Sequence, residues 1–128
     1  MLNIIGLAYR ANCLVYGVDA ASEVVNTKKA RLIITAEDAS SKLKEKAARM
    51  PERCNGDYTE VPIDSETLGG ILGVQTCSIA VFTDVGFAAS FTEKLKAHDP
   101  TRYTDLSENF QAQKLRAIKR KEKKMRQK

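Results

Sequence analysis

The sequence predicts an α/β protein in which helices cover both faces of a sheet that is at least partly parallel. Residues 32–36 form an unbroken run of four apolar residues and one threonine, typical of a strand buried on both faces. A lysine-rich helical pattern follows at once, and Asp38 or Ser40 can cap that helix. Helical and strand patterns then alternate in the order α-β-α-β-α-β-α-β-α, which is the arrangement that places helices above and below a sheet.

A helix, a short strand and a second helix are predicted before this central strand. Four apolar residues have the i, i+3, i+4, i+7 spacing of a helix with one buried face. They are Ile4, Leu7, Ala8 and Ala11. Residues 13–16 are predicted as a strand that ends at Gly17, and residues 18–25 as the second helix.

The middle of the chain is predicted to contain an amphipathic helix and an edge strand. Residues 40–50 have a basic outer face, and Pro51 marks the end of this helix. Residues 58–63 are predicted as a strand, and Pro62 favours the edge of the sheet or a strand end because proline cannot donate to a neighbouring strand.

A short helix, an interior strand and a longer helix complete the predicted fold. The short helix begins with Asp64 or Ser65 as its cap and ends near Gly73. Residues 77–83 are largely apolar without alternation, which predicts an interior strand. Asp84 caps the last helix, which ends at residues 99–100. Its buried stripe is predicted to be Phe87, Phe91 and Leu95.

The positive charge of the protein belongs to its C-terminal segment. The chain has 128 residues and a net charge of +5. Residues 111–128 carry nine Lys or Arg and one Glu, a net charge of +8, so that residues 1–110 carry −3. We therefore predict one domain over residues 1–99, followed over residues 100–128 by a linker and a basic tail that is helical or disordered.

Several classes of protein are not expected. No apolar run approaches the roughly 18 residues that span a bilayer, and no signal-type segment opens the chain, so we expect a cytoplasmic protein without membrane contact. Cys13, Cys54 and Cys77 lack the spacing of a disulfide framework or a zinc site. No metal or cofactor is expected, and no catalytic residues are predicted. The pair Glu37 and Asp38 is interpreted as a cap or surface feature rather than an Mg²⁺ or acid–base pair.

Three stretches together resemble a known family. They are residues 6–11 (GLAYRA), 14–17 (LVYG) and 30–40 (ARLIITAEDAS), and weaker similarities follow at 61–62, 68–69, 72–74 and 79–88. The chain resembles the kink-turn RNA-binding ribosomal proteins of the L-seven-Ae type, with their L-thirty-e relatives, and especially the bacterial YlxQ-like branch. The resemblance covers residues 2 to about 97 in one register. It implies a three-layer α/β/α sandwich around a four-stranded mixed sheet.

The resemblance also implies RNA binding without catalysis. Members of this family hold bent RNA with the start of the second helix and the loop before the last strand, where exposed N–H groups and small residues admit the RNA backbone. By position the first element is Gly17, Val18, Asp19, Ala20 and Glu23. The second is Val74, Gln75, Thr76 and Cys77.

This chain departs from the family pattern in that first element. RNA-binding members have asparagine or glutamate at the positions of Asp19 and Ala20 and lysine at that of Glu23. Four cations are predicted to lie near this face and to compensate: Arg10, Lys28, Lys29 and Arg31.

The basic tail is a second candidate for contact with RNA. Its predicted phosphate-binding residues are Lys114, Arg116, Lys119 and Arg120. The expected partner is structured RNA, of the ribosome or of another kind, with the ribosome or another protein as further partners. The alternative is a protein-interaction module that has the fold but has lost specific kink-turn recognition.

Overall fold

A four-stranded mixed sheet lies at the centre of the protein in the computed structural model, which describes residues 1–126 and the side chains of residues 1–121. The strand order is β1-β4-β2-β3, with β1 Leu14–Tyr16, β2 Leu32–Thr35, β3 Asp57–Glu60 and β4 Ile79–Phe82. Strand β4 is antiparallel to β1 and β2, whereas β2 and β3 are parallel. The predicted interior strands β2 and β4 are both central, and β3 lies at the edge, as Pro62 indicates.

Six helices alternate with or follow these strands. They are α1 Leu2–Arg10, α2 Val18–Asn26, α3 Ser41–Arg49, α4 Ser65–Leu72, α5 Val85–His98 and α6 Pro100–Arg126, with a 3₁₀ turn at Met50–Arg53. None of the helices within the described residues is long and apolar enough to cross a membrane.

Two hydrophobic cores lie on opposite faces of the sheet. On one face Leu32 and Ile34 of β2 pack with side chains of α1, α4, α5 and α6, including Phe91. On the other face Ile33 packs with side chains of α2, α3 and the 3₁₀ turn, including Met50. Since successive residues of β2 enter different cores, the strand is buried on both faces and the three-layer α/β/α sandwich is confirmed.

Local capping sets three of the helix starts. The side chain of Ser40 accepts a hydrogen bond from Leu43 N, that of Asp64 from Thr67 N, and that of Asp84 from Phe87 N. These are predicted caps, and they satisfy N–H groups that have no partner inside the helix. Asp38, the other candidate cap for α3, bonds Ser65 instead.

The buried face of α1 differs from the predicted one. Leu7 is 50% exposed, whereas Ile5 and Ala8 are fully buried. The helix is rotated because it packs on α4 and α5 as well as on the sheet, so two neighbouring elements decide which side of it is covered.

The first part of α6 belongs to the folded core, which corrects the prediction of a linker after residue 99. Helix α6 begins directly at Pro100, a residue suited to the first turn of a helix. Tyr103 and Phe110 are 1% and 0% exposed and join the core beside α5. The basic segment continues the same helix through Arg126. The predicted tail also includes residues 127 and 128, which lie outside the described residues.

Candidate nucleic-acid interface

The start of α2 offers backbone donors at one end of the sheet. Gly17 is the residue before the helix, and no side chain caps the first turn. Its φ of 90° lies in the left-handed region that glycine tolerates. The Gly17 N–H donates to the Ile79 carbonyl over 3.0 Å, which fixes the helix start against β4. The N–H groups of the first helical turn are therefore available to an external acceptor.

The loop between α4 and β4 packs closely against α4. A Cβ atom on Gly69 would come within 2.7 Å of the Thr76 Cα atom, so only glycine allows this approach. Val74 N donates to the Gly69 carbonyl, and Cys77 N donates to the Ser65 carbonyl, each over 2.9 Å. These contacts hold the loop while the side chains of Gln75 and Thr76 stay exposed.

Cys77 joins this loop to the start of α2. Cys77 is 5% exposed, and its thiol donates to the Ile79 carbonyl over 3.2 Å. Burial raises the pKa of the Cys77 thiol, and hydrogen bonds with the backbone of Ile79 and Gly17 partly offset that rise. The structure thus brings together the two elements that the sequence places at a common site. We call their combined surface the helix–loop surface, and it consists of Gly17, Val18, Asp19, Ala20, Glu23 and residues 74–77.

The helix–loop surface carries negative rather than positive charge. Asp19 and Glu23 are both exposed, and they are one helical turn apart on α2. The other residues that define this surface are uncharged. Its contribution to binding an anion must therefore come from backbone N–H groups and polar side chains, not from its own cations.

Three of the predicted compensating cations lie at the other end of the sheet, which corrects the prediction that they are near Glu23. Lys28 and Lys29 follow the end of α2, and a nine-residue helix separates them from Gly17 by about 13 Å of rise. Arg31 N donates to the carbonyl of Phe82, the last residue of β4, whereas Gly17 contacts Ile79, the first. These cations are close to Gly17 in sequence but not in space, because α2 carries the chain from one end of the sheet to the other between them.

Arg10 occupies a third position. It lines a groove with Tyr9, with other side chains of α1 and with Ile71 of α4. Ile71 belongs to α4, the helix that precedes the loop of residues 74–77, and the groove does not include a residue of that loop.

Arg31 instead faces two arginines of α6 across a cleft. The cleft has a volume of about 570 Å³. We call it the arginine cleft, and it is lined by Arg31, Asn55, Val85, Gln113, Arg116, Ala117 and Arg120. Lys114 and Lys119, the other predicted residues of α6, do not line it. Asn55 and Gln113 were not predicted, and no local pattern marks them, because the cleft is assembled from distant segments.

Of the acidic pair at the end of β2, Asp38 has a structural role. The two carboxylate oxygens of Asp38 accept hydrogen bonds from the Ser65 backbone N–H and hydroxyl, over 2.7 and 2.8 Å. Hydrogen bonds from the Ser65 hydroxyl and then from its N–H lower the pKa of Asp38. Within the described part of the chain, no cluster of three His, Cys, Asp or Glu residues could hold a metal ion.

Comparison with known proteins finds a matching family, a similar protein and a similar solved structure. The model of the ribosomal protein L7Ae/L30e/S12e/Gadd45 family matches residues 1–91. The RNA-binding protein YlxQ of Bacillus subtilis (strain 168) is 34% identical over 89 residues, which are 66% of this chain and 84% of that protein. A solved structure of a protein of unknown function from Bacillus halodurans C has a TM-score of 0.61 and 26% identity, covering 67% of this chain and 86% of that one.

Proposed function

The chain belongs to the ribosomal protein L7Ae/L30e/S12e/Gadd45 family, and we propose that it binds structured RNA without catalysing a reaction. The similar YlxQ protein is named as an RNA-binding protein. Family membership also bears out the prediction that the chain is not an enzyme.

The observation that carries the proposal is the contact between the start of α2 and the loop before β4. Gly17 N–H and the Cys77 thiol both donate to the Ile79 carbonyl, so both elements are fixed at the first residue of one strand. An RNA ligand placed there meets uncapped helix N–H groups and exposed loop side chains at the same time.

The two elements are suited to different parts of an RNA. The free N–H groups at the positive end of the α2 dipole suit a phosphate oxygen. The exposed side chains of Gln75 and Thr76 can donate and accept hydrogen bonds, which suits the edges of unstacked bases. We therefore propose a sharply bent RNA of the kink-turn kind as ligand, because it presents a backbone and splayed bases together.

The cellular setting of the proposal is the cytoplasm, with ribosomal RNA or another structured RNA as partner and the ribosome as the assembly in which contact takes place. The family match supports this setting through its ribosomal members. No membrane partner is proposed.

A second candidate function rests on the charge of the helix–loop surface. Asp19 and Glu23 place carboxylates where RNA phosphates would approach, and repulsion between unit charges about 4 Å apart in water is on the order of 1 kcal/mol. A module that has kept the fold and binds another protein would have no need of a cation there. This alternative predicts weak, unselective RNA binding.

The test compares two RNAs of equal length with the full chain at one salt concentration. A labelled kink-turn RNA is expected to bind at least about tenfold more tightly than an unbent duplex, because only the bent RNA can engage the helix and the loop together. Equal affinity for the two RNAs would contradict the proposal and favour the protein-interaction module.

A matched pair of charge reversals locates the binding. Glu23→Lys is expected to raise affinity for the kink-turn RNA several-fold, since it replaces a repulsive charge with an attractive one beside the helix start. Glu45→Lys makes the same change in net charge on the exposed face of α3. If both variants bind the kink-turn RNA equally well, the helix–loop surface is not where that RNA binds.

A further inference from the structure

We propose that the arginine cleft is a second RNA contact, in which Arg31, Arg116 and Arg120 hold phosphates of the RNA backbone. This inference rests on the proposed function, since RNA supplies the ligand. In this inference α6 and the domain form one preformed site, whereas the sequence predicted a basic tail that binds RNA on its own.

The chemistry of the lining suits phosphate. Arg116 and Arg120 are one helical turn apart on α6, and Arg31 enters from the residue before β2. Each guanidinium presents a planar set of N–H donors that can bind two phosphate oxygens at once. The amide groups of Asn55 and Gln113 add uncharged donors to the same cleft.

Among the described side chains, none of the three arginines forms an ion pair with a carboxylate. Among the described side chains there are two ion pairs, Lys44 with Glu60 and Arg102 with Glu60, and neither involves the cleft. Asp84 is next to Val85 in sequence, but its carboxylate caps α5 by accepting from Phe87 N. Like charges one turn apart on a helix repel each other. A phosphate that bridges Arg116 and Arg120 would offset this repulsion.

The lining favours the RNA backbone over its bases. The described residues of the cleft include no aromatic side chain on which an unstacked base could stack. Guanidinium contacts with phosphates position a nucleic acid but do not read its sequence. The arginine cleft is therefore expected to strengthen binding and to orient the RNA, while the helix–loop surface selects its shape.

The two surfaces lie at opposite ends of β4. Gly17 contacts Ile79 and Arg31 contacts Phe82, three residues further along the strand. Three residues of extended strand span about 10 Å. This is the spacing of the two backbone contacts along the strand, and it is short relative to a folded RNA, so one RNA that folds around the end of the domain can reach both surfaces.

The test compares two double variants of α6 in the full chain. Arg116→Gln with Arg120→Gln removes two cations from the arginine cleft, and Lys114→Gln with Lys119→Gln removes two cations from the same helix outside it. Glutamine is a good helix former, so α6 is expected to keep its helical signal in circular dichroism. Binding of a labelled kink-turn RNA is measured by fluorescence anisotropy over a range of KCl concentrations.

We expect the arginine pair to weaken binding at least about tenfold more than the lysine pair. It should also lower the slope of log K against log salt by about one per lost phosphate contact. Arg31→Gln, on a different element, is expected to weaken binding as well. The triple variant, which combines Arg31→Gln with the arginine pair, should lose less affinity than the product of the two separate fold-losses, because all three side chains share one ligand.

Two results would overturn the inference. Equal losses for the arginine pair and the lysine pair would mean that α6 acts as unstructured positive charge, or that the cleft serves an acidic protein instead. Unchanged binding of the RNA by Arg31→Gln would mean that the domain contributes no cation to this site. In both cases the wild type still binds the kink-turn RNA, so the proposed function survives. If the wild type binds neither the kink-turn RNA nor the duplex, both proposals fail.

Discussion

At the scale of single residues, Ser65 connects the end of β2 with the candidate interface. Its N–H and hydroxyl donate to Asp38, and its carbonyl accepts from Cys77 N. Cys77 in turn contacts the Ile79 carbonyl that also receives the Gly17 N–H. Asp38 therefore acts on the helix–loop surface through Ser65, although it is not itself proposed to touch RNA.

Asp38→Asn is expected to change how stability depends on pH. The hydrogen bonds from Ser65 lower the pKa of Asp38 in the folded state, below its ordinary value of 3.8. The ionised carboxylate therefore stabilises the wild type fully above that ordinary value, and the stabilisation is lost as pH falls through the folded-state pKa. The variant should be less stable than the wild type near neutral pH and should lose less stability on acidification.

Thermal unfolding measured between about pH 6 and pH 2 checks this expectation. Glu37→Gln is the matched control, since it neutralises the exposed neighbouring carboxylate, which accepts none of the side-chain hydrogen bonds found among the described residues. Identical pH profiles for Asp38→Asn and the wild type would contradict the claim that the ionised carboxylate of Asp38 stabilises the fold.

Residue-level prediction succeeded where the cause is local and failed where it is not. Ser40, Asp64 and Asp84 were predictable caps because each bonds an N–H three residues ahead. The role of Asp38 was not predictable, because its partner belongs to another helix. Arg31 was assigned to the wrong end of the sheet because its position is likewise set by a distant segment, the end of β4.

At the scale of elements, α6 is both a core helix and a charged one. Tyr103 and Phe110 are buried against the domain, and the Tyr103 hydroxyl donates to the Glu60 carbonyl over 2.9 Å. The Gln111 side chain donates to the Ala89 carbonyl of α5 over 2.9 Å. This packing was not predicted, because the dense charge after residue 111 masks the two buried aromatic residues that precede it.

Phe110→Ala and Leu115→Ala are expected to differ strongly in stability. Phe110 is fully buried, so truncation should lower the free energy of unfolding by about 3–5 kcal/mol. Leu115 is 53% exposed on the same helix, so its truncation should stay within about 0.5 kcal/mol. Urea denaturation measures both. A small effect of Phe110→Ala would mean that α6 does not dock on the domain in solution.

At the scale of the whole molecule, the two candidate surfaces divide the work of binding. The helix–loop surface offers backbone donors and polar side chains with a negative local charge, whereas the arginine cleft gathers cations from the domain and from α6. The alternation of helices and strands, and with it the layered fold, could be predicted from periodicity alone. The strand order could not, because it depends on pairing between distant segments, and it is this order that places Gly17 and Arg31 at opposite ends of β4.

The central claim is that the start of α2 and the loop before β4 together hold RNA. Hydrogen–deuterium exchange of the full chain, with and without a kink-turn RNA, tests it most directly, because the claim concerns backbone N–H groups. The account predicts slower exchange in the bound state at Val18, Asp19 and Ala20 of α2 and at Gln75 and Thr76 of the loop. Binding of the RNA with unchanged exchange at those amides would contradict it.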